Sequence, residues 1–182
     1  NLDQDMFVEV MNTNVYGPLK LSEAFADNVA ASQQKKIIGM TSGLGSLTLM
    51  GRMSRFYYYQ MSKAAMNMGM RALRNDLRSR GIIVALLAPG MVDTDLLVAS
   101  GYKGDSLTPA ASAASLYALV AALTTEDTGI PVNVDGKVLG DGGPIRRGSY
   151  FITHDVDVEK LQADRRSTTS FDDCQRYLTP FR

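Results

Sequence analysis

The sequence predicts an α/β fold, a doubly wound parallel sheet with helices on both faces. Short, continuous apolar runs at 35–40 and 82–88 alternate with long segments in which apolar residues recur at helical spacing. Such runs are typical of strands buried on both faces, and their alternation with helices implies crossover connections between parallel strands. Hydrophobic residues make up 45% of the chain and charged residues 21%, as expected for a globular protein.

The first predicted helix covers residues 3–32, with Asp3 as its N-cap. Its apolar stripe consists of Phe7, Val8, Val10, Met11, Val15, Leu19, Leu21 and Phe25. We expect Gly17-Pro18 to interrupt and kink this helix, because proline cannot donate a backbone hydrogen bond. The run 35–40 is the first predicted strand, and it is expected to be buried.

A glycine-containing loop, 43–55, leads to a second long helix at 57–80. Gly81 follows at the position of a helix C-cap glycine. The second buried strand, 82–88, comes next, and a Pro-Gly pair ends it.

The remaining elements are a short helix at 94–100, a third long helix and a short strand at 131–135. Thr108 is the predicted N-cap of the third helix and Pro109 its first residue, and the helix extends to Leu123.

The predicted sheet is incomplete, because an open sheet of three strands would leave a buried-type edge uncovered. The chain also lacks an initiator methionine, so we expect it to begin inside a longer protein. We divide it into a domain at 1–143 and an extension of unknown role at 144–182, which is polar and weakly patterned apart from one possible helix near 155–165.

The composition excludes several classes of partner. Nineteen basic residues balance nineteen acidic ones, so no nucleic-acid partner is expected. The single cysteine, Cys174, forms no internal disulfide and fits a reducing, cytoplasmic location. With His154 as the only histidine, no metal site is expected, and no apolar run is long enough to span a membrane.

Tyr59 and Lys63 are the first candidates for chemistry. They lie four residues apart in the second long helix and therefore on one face of it. A nearby ammonium favours the phenolate and so lowers the pKa of a tyrosine from about 10. Such a tyrosine can donate a proton to a carbonyl oxygen or accept one from an alcohol. The spacing alone equally fits an unrelated pair on a surface helix.

Two further segments follow the predicted strands, at the sheet edge where ligands bind in open α/β folds. Ser42 follows the first strand, and its hydroxyl could hydrogen-bond a substrate oxygen. Ser46 is the alternative for this position. The segment 89–94 follows the second strand, although taken alone it equally fits a plain turn.

These residues together resemble the motifs of the short-chain dehydrogenase/reductase (SDR) family, which has a Rossmann-like fold. The matching motifs, in chain order, are Ser42, Tyr59-x-x-x-Lys63 followed by Ala64-Ala65, and Pro89-Gly90-x-Val92-x-Thr94. The segment 12–17 resembles the family's Asn-x-x-Gly segment with Asn14 at the catalytic asparagine, and 129–136 resembles its last strand. The resemblance covers about residues 5–140, the C-terminal, catalytic half of the family's domain.

The resemblance implies a carbonyl reductase-like enzyme that transfers a hydride between NAD or NADP and a small carbonyl or alcohol. Tyr59 would be the general acid/base, and Lys63 would lower its pKa and bind the nicotinamide ribose. Ser42 would orient the substrate oxygen, and Asn14 would hold a water in a proton relay. The cofactor's nicotinamide end would contact Tyr59 and Lys63 together with Pro89, Gly90, Val92 and Thr94.

The resemblance also implies a homodimer or homotetramer, because the helices 3–32 and 57–80 resemble those that pair across SDR dimers. Apolar residues of the substrate-side loop could form the wall of a hydrophobic pocket, but ordinary packing under the loop is favoured. These residues are Leu47, Leu49, Met50, Met53 and Phe56.

The chain departs from the family's pattern in two places. No glycine-rich phosphate loop opens a helix, so the N-terminal part that binds the dinucleotide phosphates is expected to be absent and the choice between NAD and NADP stays open. Ser42 and Tyr59 are 17 residues apart, a longer spacing than is usual, as in some carbonyl-reductase-like branches. The alternatives are an epimerase or dehydratase on the same scaffold, or a truncated, non-catalytic binding or dimerisation protein.

Overall fold

A computed structural model describes residues 2–49, 56–125, 131–137 and 139. The helices, in chain order, are α1 (Gln4–Met11), a π-helical turn (Asn12–Tyr16), α2 (Gly17–Ala31), a 3₁₀ turn (Gly43–Gly45), α3 (Tyr57–Leu77), a 3₁₀ turn (Arg78–Arg80), α4 (Asp95–Ala99) and α5 (Pro109–Ala122). The strands are β1 (Lys36–Met40), β2 (Ile83–Ala88) and β3 (Pro131–Asn133).

The strands form one parallel sheet in the order β1-β2-β3, flanked by helices. This confirms the predicted α/β fold. Ile38 pairs with Ala85 across the first pair of strands, and Leu87 pairs with Val132 across the second. The central strand β2 is buried along nearly its whole length, as its continuous apolar sequence predicts.

Two strand predictions need correction. The expected burial of the first strand is wrong for most of β1, in which only Gly39 is buried. Within the described residues β1 pairs on one side only, and the side chain of its last residue, Met40, is 43% exposed. β3 ends at Asn133 instead of residue 135, because Asn133 begins a turn in which its N–H donates to the Lys137 carbonyl over 2.8 Å.

The long N-terminal helix begins where predicted, since Asp3 accepts a 2.9 Å hydrogen bond from the Met6 N–H. Its irregular turn lies upstream of the predicted position, over Asn12–Tyr16. Pro18 has no N–H to donate to the carbonyl of Asn14, and its ring crowds that carbonyl. The helix widens in the preceding turn, where the Gly17 N–H donates to the Asn12 carbonyl.

The core lies between β2 and one face of α3. The buried face of α3 follows the i, i+3, i+4 spacing of an amphipathic helix. Its residues are Met66, Met70, Leu73 and Leu77, and they are buried together with Val84, Leu86 and Leu87 of β2. Each such side chain contributes roughly 1.5–3 kcal/mol through its burial. This packing fixes α3, and with it Tyr59 and Lys63, against the sheet.

The predicted helix ends are mostly confirmed. Gly81 takes the left-handed conformation, with φ of 71°, after the 3₁₀ turn that ends α3. Thr108 caps α5 through a 3.2 Å bond from the Ala111 N–H, and Pro109 is its first residue. Thr94 caps the short helix α4.

The described residues all belong to one compact unit, 1–142. The predicted extension at 144–182, with its helix near 155–165, lies outside the described residues, so the domain division stays a prediction. In the part of the chain that the structure describes, no helix is both long and apolar enough to cross a lipid bilayer.

Candidate active site

Tyr59 and Lys63 lie in the first two turns of α3, at the carboxyl end of the sheet. The Lys63 amine nitrogen, Nζ, lies 5.6 Å from the centroid of the Tyr59 ring. The same nitrogen donates a 2.9 Å hydrogen bond to the carbonyl of Met40, the last residue of β1. The amine is therefore held between the phenol ring and the end of the strand that leads to Ser42.

Lys63 is half-buried, and this burial changes the pKa of its ammonium group. Removal of water from the ammonium lowers the pKa of Lys63 below its ordinary value of 10.5. Its bond to Met40 uses one of three ammonium protons. The others can bind oxygen atoms more strongly than an exposed lysine would, because the surrounding dielectric is lower.

Asn14 is connected to the same turn of α3 through Ser62. Its amide nitrogen donates to the Ser62 hydroxyl oxygen over 2.9 Å, and that hydroxyl donates to the Tyr59 carbonyl over 2.8 Å. Asn14 lies within the π-helical turn, a feature that recurs at functional sites. These two bonds attach Asn14 to the backbone of the turn of α3 that carries Tyr59 and Lys63. Sequence reasoning overlooked Ser62, whose one signal is a small hydroxyl residue inside Tyr-Gln-Met-Ser-Lys.

Ser42 is held at the end of β1 by a short turn that packs on α3. Its hydroxyl oxygen accepts a 3.2 Å bond from the Leu44 N–H, and among the described residues no acceptor takes the proton of this hydroxyl. A Cβ atom on Gly45 would lie 2.9 Å from the carbonyl carbon and Cβ of Lys63, so only glycine allows this contact. The turn therefore places Ser42 beside the helix that carries Lys63. Ser46, the alternative, accepts a 3.3 Å bond from the Leu49 N–H.

The two tyrosines before Tyr59 have other surroundings. Tyr58 accepts a hydrogen bond from the Asp3 N–H, and its ring meets Phe7 edge-on with centroids 5.7 Å apart. Tyr58 therefore ties the start of α1 to the start of α3. The side chain of Tyr57 is 58% exposed. Among the three, Tyr59 is the one beside the Lys63 ammonium.

A second loop, Pro89–Thr94, leaves the end of β2. Gly90 has φ of 77°, and a Cβ there would lie 3.0 Å from Val134 and 3.3 Å from Leu107. Glycine is thus required at this position for two reasons: the backbone has a positive φ, and a side chain would clash with Val134 and Leu107. The Pro89 carbonyl accepts a 2.7 Å bond from the buried hydroxyl of Ser112 in α5, which holds the loop in place.

The backbone N–H and carbonyl of Val92 point away from the neighbouring segment, which contains Leu107. Leu107 bonds to the residues on either side of Val92, accepting from the Asp93 N–H over 2.9 Å and donating to the Met91 carbonyl over 2.7 Å. In extended backbone the peptide groups alternate, so the N–H and carbonyl of Val92 face the other way. The Thr94 hydroxyl donates to that carbonyl over 3.2 Å and accepts from the Leu97 N–H over 3.4 Å.

The two loops share the sheet edge, but in the described part of the chain no hydrogen bond joins Pro89–Thr94 to Asn14, Tyr59 or Lys63. The favoured interpretation that the apolar loop residues pack under the loop is wrong for Leu47, Leu49 and Phe56, whose side chains are 67%, 48% and 42% exposed. Met50 and Met53 lie outside the described residues, which contain no cluster of three metal-ligating side chains.

Comparison with known proteins gives one consistent result. The family model described as short chain dehydrogenase matches residues 1–103. A 1-hydroxy-2-glutathionyl-2-methyl-3-butene dehydrogenase of Rhodococcus is 36% identical over 141 residues, which is 76% of this chain and 60% of that protein. An uncharacterised oxidoreductase of Schizosaccharomyces pombe is 31% identical over 148 residues, 74% of this chain and 58% of its own.

Solved structures give the same result. The NADPH-bound carbonyl reductase from chicken fatty liver superposes with a TM-score of 0.70 at 30% identity, covering 77% of this chain and 59% of that one. The carbonyl reductase Sniffer of Drosophila melanogaster superposes with a TM-score of 0.66 at 26% identity, covering 76% and 58%. The chain thus spans less than two thirds of the length of these relatives.

Proposed function

Since the chain belongs to the short-chain dehydrogenase/reductase family, we propose that it carries the catalytic residues of an NAD(P)-dependent oxidoreductase that interconverts a carbonyl and an alcohol. The observation that carries this proposal is the Lys63 ammonium, 5.6 Å from the Tyr59 ring and bonded to the end of β1. The likeness to carbonyl reductases supports a carbonyl as the group reduced.

The residues at the end of β2 fit the nicotinamide end of the cofactor. The outward-facing N–H and carbonyl of Val92 offer a donor and an acceptor of the kind that a carboxamide needs. Glycine at position 90 lets this loop pack closely against Val134 and Leu107. Pro89 and Thr94 hold this loop in shape, and Lys63 offers ammonium protons to the ribose hydroxyls. When bound, NAD or NADP supplies the hydride.

In the reductive direction, Tyr59 donates its phenolic proton to the substrate oxygen. The adjacent Lys63 ammonium stabilises the negative charge that this leaves on the phenolate. The Ser42 hydroxyl, whose proton has no acceptor among the described residues, hydrogen-bonds the same substrate oxygen and orients it. Asn14 holds a water through which the proton lost by Tyr59 is replaced by way of Lys63. In the oxidative direction the proton moves oppositely.

The proposed substrate is a small carbonyl or alcohol with an apolar body. The exposed side chains of Leu47 and Leu49 follow the Ser42 turn and offer an apolar surface beside the substrate oxygen. The proposed assembly is a homodimer or homotetramer that pairs through α1, α2 and α3.

Activity is tested with the full-length protein, by following oxidation of NADH or NADPH with a panel of ketones and aldehydes. Tyr59→Phe removes the phenolic proton and should lower kcat by roughly 10²–10⁴-fold, the range of general acid–base catalysis. Tyr57→Phe makes the same change at the exposed tyrosine two residues earlier and should retain activity.

Either of two results would contradict the proposal. Turnover that survives Tyr59→Phe would exclude Tyr59 as the general acid. Substrate conversion without net cofactor oxidation would indicate an epimerase or dehydratase.

A further inference from the structure

We propose that Thr41 and Asn67 are positioning residues, whose buried hydrogen bond holds the end of β1 against α3. The bond thereby sets the distance from Ser42 to the turn of α3 that carries Tyr59 and Lys63. The catalytic part rests on the function proposed above, which assigns roles to these three residues. The placement itself can be tested without turnover.

The bond lies inside the core between β1 and α3. The Thr41 hydroxyl donates to the Asn67 carboxamide oxygen, and the two residues are only 3% and 2% exposed. The link does not depend on which way the carboxamide faces, because a hydroxyl can also accept from the NH₂ group. Loss of either partner would leave a buried polar group unpaired. The bond therefore restrains these two positions more strictly than apolar contact, which has no fixed direction.

Thr41 is the residue at which β1, β2 and α3 meet. Its N–H donates to the Leu87 carbonyl over 2.8 Å, which continues the pairing of β1 with β2 one residue past Met40. Its side chain faces α3, as does Gly39 two residues earlier, where a Cβ would lie 3.1 Å from Met70. Because threonine branches at Cβ, its side chain has few rotamers, and a bond at the hydroxyl restrains the backbone of the residue.

Both neighbours of Thr41 belong to the candidate site. The Met40 carbonyl, in the peptide group that joins Met40 to Thr41, accepts the 2.9 Å bond from the Lys63 ammonium. Ser42 follows directly on the other side. Asn67 lies one helical turn after Lys63, on the same face of α3. The bond from Thr41 to Asn67 therefore restrains both the peptide group that holds Lys63 and the residue proposed to orient the substrate.

The kinetic test separates position from stability in the full-length protein. Thr41→Ser keeps the hydroxyl but loses a buried methyl group, so it should unfold at a lower urea concentration and retain the kcat of the wild type. Thr41→Val removes the bond and should lower kcat by roughly ten- to a hundredfold, the effect of a small misplacement. Combining it with Asn67→Leu replaces both polar groups by apolar ones, so stability should recover while kcat stays low.

Ser22→Ala is the matched control for loss of a buried hydroxyl. Ser22 is buried in α2, and its hydroxyl donates to the Pro18 carbonyl over 2.7 Å, outside the contact between β1 and α3. This variant should lose stability without the loss of kcat. Wild-type kcat in either variant that lacks the Thr41 hydroxyl, or a kcat that follows stability across all the variants, would overturn the proposal.

Titration of Lys63 by NMR tests the placement without turnover. In the wild type the pKa of Lys63 should lie below 10.5, because its ammonium is partly withdrawn from water. In Thr41→Val and in the double variant, the loosened strand end lets water reach the ammonium, so this pKa should rise. An unchanged pKa would overturn the proposed placement. If the wild type shows no nicotinamide turnover, or if Tyr59→Phe stays active, the proposed function fails, and this titration alone then decides the placement.

Discussion

At the scale of single residues, Lys63 carries the main electrostatic cost of the site. Its ammonium is withdrawn from water, which disfavours the charged form, and its one described hydrogen bond goes to a neutral carbonyl. The cost is consistent with a cation kept ready for oxygen atoms of a substrate, a ribose or a phenolate.

The first prediction at this scale concerns stability against pH. Because the pKa of Lys63 is lower in the folded chain than its ordinary 10.5, the unfolded chain binds a proton that the folded chain lacks between these two values. The free energy of unfolding of the wild type should therefore rise with pH over this window, relative to Lys63→Met. Below the folded pKa the desolvation cost is present in full; near pH 10.5 it is lost.

Urea unfolding at a series of pH values measures this difference. Lys103→Met removes the same charge at an exposed position and is the control. A wild type that loses stability relative to Lys63→Met as the pH rises would contradict the lowered pKa.

Contacts between site residues that are close in sequence could be predicted, whereas contacts between residues that folding brings together could not. The i, i+4 spacing of Tyr59 and Lys63 fixes their proximity once the helix is identified. The bond between Asn14 and Ser62 joins residues 48 positions apart. It also depends on the π-helical turn, which no periodicity in the sequence indicates.

At the scale of elements, the contact between the Ser42 turn and α3 sets the distance between Ser42 and the helix that carries Tyr59 and Lys63. The turn approaches the helix so closely that its Gly45 faces the backbone of Lys63. This contact, together with the bond from Lys63 to the Met40 carbonyl, fixes the distance between β1 and the helix. Ser42, proposed to orient the substrate, and the Tyr59–Lys63 pair, proposed to transfer the proton, are therefore positioned by one shared contact.

The second prediction tests this contact with two alanine substitutions in the same turn. In Gly45→Ala, the new Cβ would lie 2.9 Å from backbone and side-chain carbons of Lys63, so the turn or the helix must shift. We expect a loss of roughly 1–3 kcal/mol in the free energy of unfolding, typical of overpacking, and a lower kcat. In Gly43→Ala the nearest atom would lie at 3.9 Å, an ordinary contact.

Chemical denaturation of the two variants side by side gives the comparison. Equal losses from Gly43→Ala and Gly45→Ala would mean that glycine flexibility, and not the close approach to α3, accounts for the effect.

The ends of some helices could be predicted from the local sequence alone. Thr108-Pro109 and Gly81 mark helix ends through backbone chemistry of their own, and the structure confirms both. The irregular turn before Gly17-Pro18 was displaced because proline disturbs the carbonyl four residues earlier. The exposure of β1 depends on what pairs with its other edge, which its own apolar sequence cannot specify.

At the scale of the whole molecule, the N-terminal helices and α3 leave large apolar side chains in solvent. α2 and α3 pack directly on each other, since a Cβ on Gly69 would lie 3.0 Å from Leu19. The exposed side chains on α1, α2 and α3 include Met6, Val8, Leu21, Phe25, Met61 and Met68, each at least 45% exposed. A concentration of apolar side chains on neighbouring helices is what a self-complementary interface requires.

The last prediction follows from the proposed pairing through these helices. Phe25 is 55% exposed on α2, and in a two-fold interface each copy contributes it once, so a substitution acts twice. Phe25→Glu should weaken self-association by roughly tenfold or more, because it replaces a buried aromatic ring with a charge. Tyr117→Glu is the control, since Tyr117 is 78% exposed on α5, outside the proposed interface. Sedimentation velocity over a range of concentrations measures the assembly. A monomeric wild type, or equal dissociation by both variants, would show that these helices do not form the interface.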